Sequence, residues 1–121
     1  MIHTGIDLVE IERFSALKPE IKARFFQRVF TRAERDYIAA FDSRAAGIFA
    51  AKEAAAKALG CGIGPVSWQE IEVAHTDQKQ PQINLLGNAA RIAAEKRITS
   101  WSVSITHSKK TAAAVFVAAA D

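Results

Sequence analysis

Asp42-Ser43-Arg44-Ala45-Ala46-Gly47-Ile48-Phe49-Ala50-Ala51-Lys52-Glu53-Ala54-Ala55-Ala56-Lys57-Ala58-Leu59-Gly60 is the stretch from which the fold is read. Asp42 or Ser43 can cap a helix, Lys57 falls in its last turn, and Gly60 supplies a C-terminal stop. The pattern predicts a helix from Asp42 or Ser43 to Leu59. At about 100° per residue, Ile48, Phe49, Ala55, Ala56 and Leu59 share one stripe, and Lys52 falls inside it. Glu53 and Lys57 lie four apart on the flanking face. A helix with so many alanines lets a neighbouring element approach closely.

Upstream, residues 2–9 are apolar enough for a first strand, with Gly5 allowing close backbone approach. Residues 10–17 read as a helix that breaks near Pro19, and residues 20–29 as a second. Thr31-Arg32-Ala33-Glu34 fits a capping box, so a third helix is expected over residues 31–40. Downstream the chain turns β-rich. Gly60-Cys61-Gly62-Ile63-Gly64-Pro65 is a loop by composition. Ile71 and Val73, then Ile83 and Leu85, alternate with polar residues and predict a hairpin. Residues 87–96 suit a short helix. Trp101, Val103 and Ile105 predict a strand with one buried face, and residues 111–119, apolar on both parities, a central strand after the Ser108-Lys109-Lys110 turn. The expected fold is α+β, a single domain of helices packed on an antiparallel sheet.

The 121 residues allow one domain, and an apolar half with a charged quarter is ordinary for a globular chain. A core this small favours oligomerisation. The lone Cys61 excludes a disulfide-stapled scaffold and fits a reducing compartment. The longest apolar run, residues 112–120, is far short of the ~20 residues that span a bilayer. Asp7, Glu10, Glu12 and Arg13 stand where a signal peptide needs an apolar core, so a cytoplasmic location is expected. Between Arg13 and Arg35 seven basic residues oppose only Glu20 and Glu34, a local +5. That concentration points to a polyanionic partner or, more plainly, to a solvated helix face.

Asp7 ends the first predicted strand and Glu53 sits mid-helix, so two carboxylates on rigid elements can converge on a hard cation. Mg²⁺ commonly takes one or two carboxylates and completes its shell with water and phosphate oxygens. The alternative pairs Glu53 with Lys57 and makes Asp7 a cap for the following helix. Cys61 has no oriented partner for thiol chemistry, and His3, His75 and His107 lack metal-ligand spacing. His107 continues the apolar parity of its strand at the turn, from where it can reach a cleft. The Gly60–Gly64 loop follows a helix instead of preceding one, so it is neither a P-loop nor a dinucleotide fingerprint.

Read together, Gly5-Ile6-Asp7-Leu8-Val9-Glu10-Ile11-Glu12-Arg13, Phe49-Ala50-Ala51-Lys52-Glu53-Ala54 with Lys57-Ala58-Leu59-Gly60-Cys61-Gly62-Ile63, and Ser104-Ile105-Thr106-His107 resemble the holo-acyl-carrier-protein synthase family. These are the short bacterial-type 4′-phosphopantetheinyl transferases, and the resemblance covers essentially the whole chain. It implies Mg²⁺-dependent transfer of phosphopantetheine from coenzyme A to a serine of an apo acyl carrier protein, releasing adenosine 3′,5′-bisphosphate. The implied setting is lipid metabolism, with fatty-acid and polyketide carriers both compatible. The resemblance implies Asp7 and Glu53 as metal ligands and Glu53 and Lys57 as catalytic residues. It further implies coenzyme A contacts from Arg44, Lys52, Lys57, Gly60, Gly62 and His107. Arg13, Arg24 and Arg28 match the region that docks the acidic carrier. A homotrimer with active sites between protomers is implied, with no nucleic acid or membrane partner; Lys52 would then reach a neighbouring subunit's ligand.

The chain departs from the family pattern in three places. Ile48 stands where an arginine often precedes the phenylalanine of the helix motif, with Arg44 one turn earlier as its substitute. Gly60-Cys61-Gly62 replaces Gly-Thr-Gly, and Lys79-Gln80-Pro81 replaces Gly-Lys-Pro. The competing class is a basic module that binds RNA or an acidic protein through residues 13–35, for which Phe25, Phe26 and Phe30 would offer stacking surfaces.

Overall fold

The computed structural model describes all 121 residues. Strand β1 (Ile2–Glu10) leads through a one-turn helix α1 (Glu12–Ser15) to α2 (Pro19–Val29), α3 (Arg32–Ile38) and the long α4 (Asp42–Leu59). A 3₁₀ turn at Trp68–Glu70 precedes β2 (Ile71–His75) and β3 (Pro81–Leu85). Helix α5 (Gly87–Glu95), β4 (Ile98–His107) and β5 (Thr111–Ala120) complete the chain. The strands form an antiparallel sheet in the order β1-β5-β4, while β2 and β3 pair as a separate hairpin. The central place expected for residues 111–119 is therefore occupied by β5. No helix is long and apolar enough to cross a membrane.

Helix α4 is buried around most of its circumference, not along the single stripe its larger side chains suggest. Ala45, Ala46, Ala50, Ala51, Ala54, Ala55, Ala56 and Ala58 all join Ile48, Phe49 and Leu59 in the core. A helix buried in this way is flanked by structure on several sides. Here the sheet lies on one, α1 and α3 on another, and β2 on a third. The sheet approaches so closely that a Cβ at Gly5 would collide with the Ala54 carbonyl oxygen. The aromatic cluster of Phe14, Phe25, Phe26, Phe30, Phe49 and Trp68 closes the far side.

One local expectation is revised, and one element is new. The helix anticipated over residues 10–17 shrinks to α1, because Glu10 is taken into the ladder opposite Thr111 and the Ile11 N–H donates to the Lys110 carbonyl at 2.8 Å. The 3₁₀ turn was not legible in the hydrophobic pattern. It is held by Glu70, whose carboxylate accepts from the Ser67 N–H at 2.8 Å and, at the start of α5, from the Asn88 N–H at 2.6 Å. The capping box of α3 forms as its sequence predicts, with Thr31 at the cap and Glu34 reciprocating.

Two outcomes follow for stability. Gly5→Ala should destabilise the fold by about 3 kcal/mol, since backbone lies in the way and cannot rotate aside; an unchanged melting temperature would show that α4 can back away. Hydrogen bonds from the Ser67 and Asn88 N–H groups hold the Glu70 carboxyl below its ordinary value of 4.5. Its contribution is thus present above the ordinary glutamate range and lost as pH falls through the depressed folded value. Glu70→Gln should cost about 1 kcal/mol at neutral pH, as loss of a helix cap does. The gap from wild type should narrow in acid, as urea titrations across pH will report.

Candidate active site

Alternation along β1 points Asp7 to the same face as Gly5 and Val9, toward α4. Helix α4 presents Lys57 beside it: the Lys57 ammonium donates to the Ile6 carbonyl at 3.0 Å and to Asp7 Oδ1 at 3.2 Å. Glu53, one turn earlier, makes no ion pair with Lys57. Burial raises its carboxyl pKa, the charge of Asp7 raises it further, and Lys57 and Arg13 oppose the shift. The ion pair of Lys57 is with Asp7, and the cap position of α1 is Ile11 with no side-chain hydrogen bond, so neither simpler role holds. A glutamate whose proton affinity is raised by a neighbouring aspartate's charge forms with it a donor pair suited to a small divalent cation. Such an ion would relieve their repulsion and leave most of its coordination shell to water and phosphate.

A second group gathers at the other end of α4. A cleft of about 400 Å³ is lined by Arg44, Ile48, His75, Lys79 and His107 among others. The Arg44 guanidinium lies 4.8 Å from the Tyr37 ring centre and 4.6 Å from that of Phe41, and donates to the Tyr37 carbonyl at 2.7 Å. Ile48 is buried and forms wall, so the cleft's fixed positive charge comes from Arg44 and Lys79, with the His107 ring beside them. The His75 ring stacks on Tyr37 at 4.0 Å. Burial and then the charge of Arg44 push its pKa down, so it lines the cleft as a neutral ring at pH 7. Tyr37 comes from α3, and His75 and Lys79 from the β2–β3 hairpin about forty residues later, so no helical or strand period joins Tyr37 to them.

Gly60 and Gly62 stand just beyond Lys57 and both adopt positive φ, 76° and 66°. They border the Asp7–Lys57 end of α4 and do not line the Arg44–His107 cleft. Cys61 between them is half-buried, and burial pushes its thiol pKa up, away from nucleophilic use. Lys52 departs from the expected ligand contact. It is fully buried, with its ammonium 2.8 Å from Glu34 Oε1 and donating to the Trp68 and Ile71 carbonyls at 2.9 and 2.6 Å. An ammonium has three hydrogens, and these partners use all of them, leaving none for a ligand.

Arg13 on α1 and Arg24 and Arg28 on α2 are exposed. Arg13 also lies over the Phe49 ring, 5.0 Å from its centre, and its charge reaches Glu53. Of the phenylalanines between these arginines, Phe30 is buried and Phe25 and Phe26 are half-buried, all three packed into the aromatic cluster.

Residues 3–115 match the family model of the 4′-phosphopantetheinyl transferase superfamily. Holo-[acyl-carrier-protein] synthase of Carboxydothermus hydrogenoformans is 43% identical over 123 residues, covering 97% of each chain. The crystal structure of the Helicobacter pylori holo-[acyl-carrier-protein] synthase in complex with coenzyme A superposes with a TM-score of 0.86 at 34% identity, covering 98% of this chain and all of that one. The Neisseria meningitidis enzyme superposes with a TM-score of 0.88 at 31% identity, covering 98% of this chain and 99% of that one. With the family model, its relatives along nearly the whole chain and its fold in agreement, the chain is a 4′-phosphopantetheinyl transferase and belongs to the holo-acyl-carrier-protein synthase family.

Proposed function

We propose that this protein transfers the 4′-phosphopantetheine group of coenzyme A to the serine hydroxyl of an apo acyl carrier protein, with Mg²⁺ held by Asp7 and Glu53. The observation that carries the reading is the Asp7–Glu53 carboxylate pair with Lys57 beside it at the end of α4. Bound there, Mg²⁺ would supply positive charge and Lewis acidity to the diphosphate of coenzyme A. Lys57, more than half exposed, is free to turn from Asp7 to a phosphate oxygen. In the reaction the serine hydroxyl releases its proton to water as its oxygen forms a bond to the phosphorus that carries pantetheine. The bond from that phosphorus to the bridging oxygen breaks, and adenosine 3′,5′-bisphosphate leaves with the electron pair. Lys57 would stabilise the negative charge that develops on the leaving group.

The Arg44–His107 cleft supplies cations for the remaining phosphate of the nucleotide. Arg44 and Lys57 are thirteen residues apart on one helix, about 20 Å along its axis at 1.5 Å per residue. The diphosphate and the 3′-phosphate of coenzyme A are separated by a single ribose and cannot span that distance. One coenzyme A molecule would therefore use the carboxylate end of one protomer and the basic cleft of its neighbour. The outer face of the sheet supports such an assembly: Ile2, Ile6 and Leu8 of β1 and Val115 and Val117 of β5 are exposed side by side. A homotrimer burying this face would complete three such sites. Arg13, Arg24 and Arg28 would steer an acidic carrier to them, and the free thiol of Cys61 suits a cytoplasmic setting.

Intact-mass spectrometry of an apo acyl carrier protein incubated with this protein, coenzyme A and Mg²⁺ is expected to show a gain of one phosphopantetheine, lost with excess EDTA. No gain across several carriers, with the protein folded, would overturn the assignment. Asp7→Asn should remain folded and lose at least about a hundredfold in Mg²⁺-dependent turnover, as removal of a metal ligand does. Undiminished turnover would remove Asp7 from the site. Reversing charge in Arg24→Glu/Arg28→Glu should raise the KM for the carrier about tenfold and leave that for coenzyme A unchanged, with the effect shrinking at high salt.

A further inference from the structure

The buried Glu34–Lys52 pair takes no part in the chemistry described above, yet Lys52 is the residue next to Glu53 on α4. Between Ala50 and Leu59 every other buried position of α4 is alanine. Alanine faces pack closely but offer no directional contact that fixes how far a helix is rotated or shifted along its axis. Lys52 offers three. Its ammonium is held by Glu34 Oε1 at 2.8 Å and by the Trp68 and Ile71 carbonyls at 2.9 and 2.6 Å. The partners are themselves fixed. Glu34 Oε1 also accepts from the Thr31 N–H at 2.8 Å, and Oε2 accepts from the Val73 N–H at 2.7 Å. One ammonium thus ties α4 to the start of α3, the 3₁₀ turn and β2 at once.

We infer that Glu34 and Lys52 are a positioning pair, which sets the rotation and height of α4 so that Glu53 meets Asp7 at the metal site. The inference rests on the reading of Asp7 and Glu53 as the Mg²⁺ ligands. It differs from a contribution to stability alone, because it requires the geometry of Glu53 to change in a variant that is still folded.

The experiment uses Lys52→Met, Glu34→Gln and, as a control, Asp7→Asn. Each is kept well below its thermal transition, with folding checked by circular dichroism. Mg²⁺ binding is measured by calorimetry on the full-length protein with coenzyme A present and no carrier, and kcat and KM are measured separately. Lys52→Met is expected to weaken Mg²⁺ binding about tenfold, as loss of an outer-shell partner does. Its kcat should fall by a similar factor, while the KM for the carrier stays within about twofold, because the docking arginines lie elsewhere. Glu34→Gln should shift both in the same direction by a smaller factor, and it alone decides the question if Lys52→Met does not fold. Folded variants with wild-type Mg²⁺ affinity and kcat would overturn the positioning role. If Asp7→Asn keeps its Mg²⁺ affinity, the metal assignment fails instead; if it loses that affinity while the other two variants match wild type, only the positioning pair fails.

Discussion

The structure depends on how closely α4 lies against β1. No side chain separates Gly5 from the Ala54 carbonyl, and this contact sets the depth at which the helix sits. At that depth the alanines of α4 fill the space beneath the sheet, and Lys57 reaches both the Ile6 carbonyl and Asp7. A larger residue at position 5 would lift the helix and part the groups that the candidate site brings together. Packing and chemistry therefore meet at one glycine.

Residues of the same type serve different ends within a few positions of each other. Lys52 and Lys57 are five apart on α4, yet one is enclosed with Glu34 and the other stands in solvent beside Asp7. Glu34 and Glu53 divide in the same way. The first spends both oxygens on the backbone of Thr31 and Val73 and on the Lys52 ammonium, while the second retains an open flank and a raised proton affinity. Burial with complete hydrogen bonding makes a charged group part of the framework. Partial burial beside a like charge leaves it available to a cation.

The two halves of the candidate site lie at opposite ends of the same helix, one against β1 and the other beside β4 and the β2–β3 hairpin. A chain of 121 residues has little room to fold a nucleotide-sized pocket around both. The exposed apolar face formed by β1 and β5 offers another solution, in which a second copy brings its cleft to the first copy's carboxylates. In the proposed assembly, oligomerisation and site formation would be one event, since the same strand β1 carries Asp7 on its inner face and Ile6 and Leu8 on its outer one.

The amino-acid sequence by itself determined the long helix, its glycine stop, the capping box at Thr31, the late strands and the candidate carboxylates Asp7 and Glu53. These rest on periodicity, on capping and turn chemistry, and on family motifs that are contiguous in the chain. It also placed Gly5 at a close approach. Only the tertiary structure decided which charged residues are consumed by the fold. Lys52 lies in an apolar stripe whether it serves a ligand or the framework. Its partners at Glu34, Trp68 and Ile71 are eighteen residues before it and sixteen and nineteen after it, distances that no helical or strand period relates. Family motifs pointed to Arg44 and His107, but that His75 joins them in one cleft was hidden for the same reason. The three come from α4, β2 and β4, and they meet only because the sheet and the hairpin close on the two sides of one buried helix.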